Sequence, residues 1–466
     1  MGENRFLRSR TVALCSRTVA PLEAERLTDS AYGCVLPAQA KACGYSCNNS
    51  SWRLPMTTGF NEQTVEAIAS GEPGWLKAQR LAAWGIFSKL PFPTPRDEEW
   101  RRFNIRALNL DKIAAFGNGR PALDVTLSTL TADASEAGVI FTDMATAIHK
   151  HPELAREYLG KSISPDESRK FSALHSAFWQ GGAFAYIPRD VKLTVPIEVT
   201  YNFHGTGVGA FPRTVIVVKP GAEATLVQRF IGGPDVKGNG AVGLHASGTE
   251  VFVEEGGRLH YISLQNFLPG VFDFTLKRAH IARDAEIDWV LGMFGGSFLR
   301  YDVECAMEGP GGTSYMYGVA LGEKRQQFSQ FTRQHHKCGN TVSDLLFKNV
   351  YRDEATGVYS GVIKVEKNAN GTNAYQANRN LVLSETVKCD SRPLLEIESN
   401  DLRCTHGATI GRLDEDQVFY LRSRGLRDPD ARQLLIEAFL EPVLARIKVE
   451  DIHKEFSGLI HSKLIR

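Results

Sequence analysis

Apolar residues between positions 61 and 91 recur at three- and four-residue steps, beginning with Val65 and Ile68. This spacing is the period of an amphipathic helix. A cluster of three prolines then ends the pattern, because proline cannot continue a helix. A further helix is expected near residues 143–159. Together these signals predict a helical α/β region over residues 56–165.

The pattern changes from about residue 184, where short runs of Val, Ile and Phe alternate with small residues. Four segments share the order strand, small-residue turn, strand. Their turn residues, Ala222, Gly257, Ala285 and Gly312, lie 35, 28 and 27 positions apart. Such recurrence is typical of a solenoid, in which each rung buries its apolar face against the next. A β-sandwich also contains many short strands, and the unequal intervals leave both folds open.

The last part of the chain returns to a helical period. The apolar stripe consists of Leu435, Phe439, Val443 and Ile447, with Leu434 and Ala438 beside it. Asp428 or Asp430 is placed to cap this helix, and Pro442 is expected to kink or interrupt it. A stripe of this kind packs more often on its own domain than on a partner. We predict a C-terminal helical region over residues 411–466.

Residues 1–55 show neither a helical nor an alternating pattern. They lack the apolar stretch of a secretory signal, although their Arg and Ser content is faintly like that of an organellar transit peptide. We predict a disordered tail or a mis-assigned start, with translation beginning at Met56.

The composition of the chain is informative mainly for the classes of protein that it excludes. Hydrophobic residues make up 43% of the chain and charged residues 23%, which is ordinary for a globular protein with a large core. The formal net charge of +1 argues against a nucleic-acid binder. No run of 18 apolar residues occurs, so no membrane span is predicted. The eight cysteines are scattered and form no Cys-x-x-Cys pair, which excludes a zinc ribbon and favours a reducing cytoplasm.

A thiol and an imidazole stand two positions apart at Cys404 and His406. In an extended strand their side chains point to the same face. Sulfur and nitrogen donors together suit a soft metal such as iron or zinc. The alternative is an ordinary buried thiol beside a hydrogen-bonded core histidine.

A second candidate cluster is formed by His335, His336 and Cys338. Adjacent histidines in a strand face opposite sides, so at most one of them joins the thiol. The parity of the positions favours His336 as the neighbour of Cys338.

Enzymatic signatures are weak. Gly160-Lys161-Ser162 lacks the first glycine of a phosphate-binding loop, and neither a nucleophile elbow nor a His-Glu-x-x-His motif occurs. Glu396 and Glu398 share strand parity, as the carboxylates of a polysaccharide-cleaving β-helix would. No companion set of acidic and basic residues accompanies them.

Several segments around Cys404 form a distinctive pattern. They are Gln-Ala-Asn-Arg-Asn-Leu-Val-Leu-Ser at 376–384, Cys-Thr-His-Gly-Ala-Thr at 404–409, and segments 393–397, 411–415, 419–425 and 438–439. This pattern resembles that of the SufD family, whose members are scaffold subunits of the SUF iron–sulfur cluster assembly machinery. Weaker matches lie at 95–101 and 184–193, so that residues 60 to 450 are covered. The related SufB family typically has Glu-His-Glu-Ala-Thr where this chain has Cys-Thr-His-Gly-Ala-Thr.

The resemblance implies a mainly β fold, with a right-handed parallel β-helix over residues 166–410 between the two helical regions. It also implies a non-enzymatic scaffold that pairs with a SufB-type subunit through the β-helices. A SufC-type ATPase would bind the C-terminal helices, and a transient iron–sulfur cluster would form at the SufB–SufD interface. It leaves open whether a flavin binds the assembled complex. The expected location is the cytoplasm, or a plastid if residues 1–55 are a transit peptide.

Site residues follow from the same resemblance. His406 matches the family histidine at the cluster, and Cys404 is expected to assist it. His335 matches a second family histidine, whereas Cys338 and Cys389 are weaker candidates for the metal. The residues expected to bind the partner are Phe419, Tyr420, Arg422, Arg424, Leu435 and Phe439.

Two other hypotheses remain. A SufB-like subunit that carries the cluster itself would require further cysteines near 380–392, where Cys389 alone is found. A carbohydrate-active β-helix enzyme would depend on the Glu396 and Glu398 pair.

Overall fold

The computed structural model describes residues 59–116, 122–167, 170–233 and 242–464. The segment predicted to be a tail or a mis-assigned start lies outside these ranges.

Helices lie at both ends of the described chain. They are α1 (Glu62–Ile68), α2 (Gly74–Lys89), α3 (Ala132–Glu136), α4 (Met144–Lys150), α5 (Pro152–Tyr158), α6 (Lys170–Phe178), α7 (Glu415–Ser423), α8 (Asp428–Leu444) and α9 (Glu450–Leu464). The helix expected at 143–159 is divided in two, because Pro152 begins a new helix. No helix among the described residues is long and apolar enough to cross a membrane.

Strands fill the region between the helices. They are β1 (Leu123–Leu127), β2 (Ile140–Asp143), β3 (Gly182–Ile187), β4 (Ile197–His204), β5 (Gly209–Ala210), β6 (Arg213–Val218), β7 (Glu223–Gly233), β8 (Gly243–Val253), β9 (Arg258–Phe267), β10 (Val271–Ile281), β11 (Glu286–Met293), β12 (Phe298–Met307), β13 (Thr313–Gly322), β14 (Gln327–His336), β15 (Val342–Tyr351), β16 (Thr356–Val365), β17 (Thr372–Val382), β18 (Lys388–Ile397) and β19 (Leu402–Gly411).

Consecutive strands from β6 onward alternate between two parallel sheets. One sheet has the order β1-β4-β7-β9-β11-β13-β15-β17-β19, and the other has the order β18-β16-β14-β12-β10-β8-β6-β3-β2. The chain therefore winds as a β-solenoid of about eight turns with helices at both ends, which confirms the predicted fold class. Within the described residues, antiparallel pairing occurs only at the N-terminal end, where β1 pairs with β4 and β2 pairs with β3.

One corner of each rung is a tight turn whose backbone has positive φ. The corner residues are Gly221, Gly256, Asp284, Gly311, Asn340 and Gly371. Gly and Asn tolerate this left-handed conformation at the lowest steric cost. Each corner hydrogen-bonds to the next, as when the N–H of Gly311 donates to the carbonyl of Asn340 at 3.1 Å. The ladder of corners fixes the register from rung to rung.

The core forms three layers. Alternate residues of both sheets, such as Tyr261 of β9 and Tyr301 of β12, pack inside the solenoid. The intervening residues face outward beneath helices. The N-terminal helices cover the sheet of β6 and β8, where α6 buries Phe171 against Phe274 with ring centroids 3.5 Å apart. The helices α8 and α9 cover the other sheet. Both broad faces are thus occupied by the chain itself.

Candidate functional site

Cys404 and His406 lie on β19, the last strand of its sheet. Their register partners on β17 are Ala374 and Gln376. Cys404 packs with Ala374 and with Ile363 of the opposite sheet, so this face of β19 is directed to the solenoid interior. His406 has the same parity and therefore shares that face. The strand pattern brings both predicted donors to one side, as the sequence predicts.

The two donors differ in their surroundings. Cys404 is half-buried in a small apolar cluster, and this burial raises the pKa of its thiol. A raised pKa disfavours the thiolate, which is the form that binds metals. His406 is exposed because no further strand lies beyond β19 in the described chain. The imidazole is therefore the more available ligand of the two.

The last rung, made of β18 and β19, is open on its far side. Interior-facing apolar side chains remain exposed there: Leu395 at 38%, Ile397 at 41% and Ile410 at 48%. Their register partners one rung below are Ile363, Val365 and Asn380, with exposures of 0%, 0% and 4%. The same interior positions are thus sealed in one rung and open in the next. This open end carries His406.

A full set of metal ligands is not assembled by the described residues. No group of three or more His, Cys, Asp or Glu side chains within them has a geometry suited to a metal ion. The open rung presents one imidazole and one thiol. Any soft metal cargo held there would need ligands from outside this part of the chain.

The second candidate cluster is engaged in protein contacts. The Nε2 of His335 lies 2.8 Å from a Glu366 carboxylate oxygen. His336 contacts the hydroxyls of Thr341 and Ser343 at 2.8 and 2.9 Å, and burial lowers its pKa to about 3. Cys338 lies in the turn after β14, where its thiol donates to the carbonyl of Glu308. All three side chains are therefore engaged in contacts within the protein.

Cys389 belongs to the open rung but not to the Cys404 cluster. It lies near the start of β18 and packs against the main interior core, whereas Cys404 packs in a separate cluster. Burial raises the pKa of the Cys389 thiol to about 12. The structure therefore does not bring Cys389 and Cys404 into one cluster.

The residues predicted to bind a partner divide into two groups. On α7, Phe419 and Tyr420 are 72% and 56% exposed. Arg424 lies over the Tyr420 ring, and Arg422 pairs with Asp428. These side chains form an accessible aromatic and basic surface, which we call the α7 surface.

The predicted residues of α8 are less accessible. Leu435 is half-buried, and Phe439 packs against the outer face of the solenoid, with Lys348 over its ring at 4.6 Å. The buried side chains of α8 are Ala431, Ile436, Leu440, Val443 and Leu444. The large apolar residue that this helix exposes is Leu434, at 46%.

The sequence pattern did not identify the row of hydrogen-bonded polar side chains that extends to the open rung. Asn349 bridges Gln330 and Asn380 through side-chain hydrogen bonds of 2.9 Å. Asn380 donates to Asn378, which also accepts from Ser391 of β18 at 2.7 Å. The available signal was the recurrence of Gln or Asn at 376, 378 and 380, since every second residue of a strand shares a face.

Comparison with known proteins gives the family. The family described as "SUF system FeS cluster assembly, SufBD core domain" matches residues 201–439. The "SufBD protein N-terminal region" matches residues 125–199. The core match alone covers more than half of the chain.

Relatives support the same conclusion. The iron–sulfur cluster assembly protein SufD of Bacillus subtilis is 29% identical, with 84% of this chain and 95% of the relative covered. An iron–sulfur cluster assembly SufBD family protein of Staphylococcus epidermidis is 27% identical, with 84% and 90% covered. A Staphylococcus haemolyticus protein of that family is 25% identical over the same shares. The chain belongs to the SufBD family of the SUF iron–sulfur cluster assembly system.

Proposed function

We propose that the chain is a SufD-type, non-enzymatic scaffold subunit. It pairs through its open rung with the solenoid of a SufB-type subunit, and a nascent iron–sulfur cluster is held at that junction. The observation that carries the proposal is the open rung itself: two unpaired strand edges, exposed interior side chains and an available imidazole at one end of the solenoid.

The open rung has the properties of an incomplete interface. Each edge is ten residues long and presents unpaired backbone groups, which is a ready template for strand addition. The exposed Leu395, Ile397 and Ile410 supply the apolar surface that such pairing would bury. A second solenoid end matches both features, because its last rung would continue the two sheets and cover the interior.

His406 is the proposed ligand from this side of the junction. A neutral imidazole gives one nitrogen to iron, and the partner subunit supplies the thiolate. Cys404 assists less, because its raised pKa disfavours the thiolate. A site completed by two subunits also suits a cargo that must leave, since separating the ligands releases the cluster.

The α7 surface is the proposed docking site for a SufC-type ATPase. It is aromatic and basic and lies outside the open rung, so one chain can engage both partners. Leu435 and Phe439 contribute by holding α8 against the solenoid. We propose a cytoplasmic location, with a plastid location applying if residues 1–55 act as a transit peptide.

The alternative hypotheses fit the geometry less well. A SufB-like subunit that holds the cluster alone needs further ligands, yet Cys389 packs apart from Cys404. For the carbohydrate enzyme, Glu396 is in register with Lys364 on the outward face of β18 and is exposed. Neither carboxylate lies in an enclosed cleft.

The test is co-expression of the chain with SufB-type and SufC-type partners. His406→Ala should leave the three-subunit complex assembled and reduce its iron and sulfide content by at least about tenfold. The matched control is His149→Ala, which removes an exposed histidine on α4. Normal cluster content in the His406→Ala complex would refute the ligand role. Loss of the complex itself would instead indicate a structural role for His406.

A further inference from the structure

Gln376 lies in the centre of β17, directly beneath His406. The two residues are register partners on adjacent parallel strands, which run about 4.8 Å apart. Gln376 is fully buried, and its side chain faces the interior with those of Ala374 and Asn378. An interior-facing carboxamide is therefore stacked one strand below the proposed ligand.

Only one of the two polar atoms of the Gln376 carboxamide has a hydrogen-bond partner in the described chain. Its Nε2 donates to the carbonyl of Gly361 at 3.2 Å. Its Oε1 is buried without a hydrogen-bond partner in the described chain. A buried polar atom left unpaired is costly, and in a native protein it calls for an explanation.

The surroundings keep this carboxamide in place. A Cβ atom at Gly361 would lie 2.6 Å from Gln376 Nε2, so the absence of a side chain at 361 leaves the amide its room. The neighbouring Asn378 has no spare acceptor role, since its Oδ1 already accepts from Asn380 and Ser391. Among the interior carboxamides of β17, at 376, 378 and 380, Gln376 is thus the one whose oxygen is unused in the described chain.

We propose that Gln376 is a positioning residue for His406. Its Oε1 accepts the N–H of the imidazole, and this bond fixes both the tautomer and the ring orientation. The His406 ring makes no hydrogen bond to another residue of the described chain, so the contact satisfies a donor and an acceptor together. The second ring nitrogen then keeps its lone pair for a metal at the open end. That last consequence rests on the proposed function, but the hydrogen bond does not.

Metal-binding histidines usually donate their other N–H to a carbonyl or carboxylate, which sets the tautomer and the orientation of the ring. Because Gln376 belongs to the closed rung, it can hold the ring before any partner arrives. A preset ring avoids part of the entropy cost of ordering the ligand on binding.

The test measures the tautomer of His406 in the isolated full-length chain. The protein is labelled with ¹⁵N-histidine and studied at a pH at which imidazole is neutral, and the His406→Ala spectrum assigns the signals. The wild-type ring should show one protonated and one unprotonated nitrogen. Gln376→Leu should give shifts averaged between the tautomers, whereas Gln376→Glu, which keeps an acceptor oxygen, should restore a single tautomer.

Two further variants allow the test to be interpreted, one as a replacement if Gln376→Leu does not fold and one as a control. Gln376→Met replaces the carboxamide with an unbranched apolar chain and serves if the leucine variant fails to fold. Gln334→Leu is the matched control, because Gln334 is also buried with unpaired carboxamide atoms but lies on β14. It should leave the His406 signals unchanged. A single tautomer that persists in folded Gln376→Leu or Gln376→Met, or averaged shifts in the wild type, would overturn the proposal.

Cluster content separates this proposal from the proposed function. In the three-subunit complex, Gln376→Leu should lower iron and sulfide content by about ten- to hundredfold without loss of subunits. If the tautomer responds to Gln376 but His406→Ala retains its cluster, the hydrogen bond stands and the ligand role fails. If His406→Ala loses the cluster but the tautomer of His406 does not change when Gln376 is substituted, only the positioning role is refuted.

Discussion

Leu395 of β18 stands directly above Ile363 of β16, yet Leu395 is 38% exposed and Ile363 is fully buried. Both side chains face the interior of the solenoid. The difference arises because a further rung covers Ile363, whereas no strand of the described residues covers Leu395. Substitutions at these two positions can therefore distinguish a loss of fold stability from a loss of binding at the open rung.

Leu395→Asp should block pairing with a SufB-type subunit, because it places a charge on the surface that pairing would bury. Its effect on the free energy of unfolding should be about 1 kcal/mol, as for other partly exposed positions. Ile363→Ala should instead cost about 2–5 kcal/mol, through loss of packing and the cavity left behind. Urea unfolding and analytical ultracentrifugation with the partner measure the two effects. Unimpaired pairing by Leu395→Asp would show that the partner binds elsewhere.

Phe419→Asp on the α7 surface should weaken capture of a SufC-type ATPase without lowering the melting temperature, because Phe419 is 72% exposed. Phe439→Asp is the matched comparison. It should lower the melting temperature, since Phe439 packs on the solenoid beside Lys348. Circular dichroism and co-purification follow the two properties. Equal ATPase binding by wild type and Phe419→Asp would exclude α7 as the docking site.

Cys404→Ala should lower the cluster content of the assembled complex less than His406→Ala does. The reason is that burial raises the pKa of the Cys404 thiol and so disfavours its thiolate form. Iron and sulfide assays on both complexes provide the comparison. A larger loss from Cys404→Ala than from His406→Ala would make the thiol the principal ligand on this subunit.

Lys277 should make stability depend on pH. It is fully buried, its Nζ lies 2.7 Å from the Tyr261 hydroxyl and 3.0 Å from Gln228 Oε1, and burial lowers its pKa to about 7. Between about pH 7 and 10 the unfolded lysine holds a proton that the folded one has lost. The free energy of unfolding should therefore rise with pH across this window, by up to about 1.4 kcal/mol per unit.

Lys277→Met removes this titration and should flatten the dependence. Urea unfolding at pH 7, 8 and 9 compares the slopes of the two proteins, so a uniform loss of stability in the variant does not affect the result. Parallel slopes would show that Lys277 keeps its proton in the folded state.

The rungs were predictable from sequence because their corners need special backbone conformations. The predicted turn residues Ala222, Gly257, Ala285 and Gly312 each follow a corner residue of positive φ by one position. The later corners Asn340 and Gly371 were not predicted. The interior of these later rungs contains Gln330 of β14, Asn349 of β15 and Asn380 of β17. These polar residues obscure the apolar alternation on which strand prediction depends.

The helical stripe was less predictable. An α-helix turns every 3.6 residues, so positions four apart drift around its axis. Of the predicted stripe, Val443 and Ile447 are buried, whereas Leu435 and Phe439 are half-buried. The buried residues Ile436 and Leu440 were not part of the predicted stripe. The shared face of Cys404 and His406 followed from strand parity. The exposure of His406 did not, because it depends on where the last rung ends.

The antiparallel pairing of β1 with β4 and of β2 with β3 bears on how many subunits an assembly can contain. A solenoid with parallel edges at both ends could stack head to tail without limit, as open heterologous contacts do. Here the strands at the N-terminal end are four or five residues long and run in the opposite direction. Within the described residues, a second molecule docked at the open rung would find no parallel edge at the opposite end. We therefore expect the proposed pairing at the open rung to involve one solenoid partner and not to continue into a fibre.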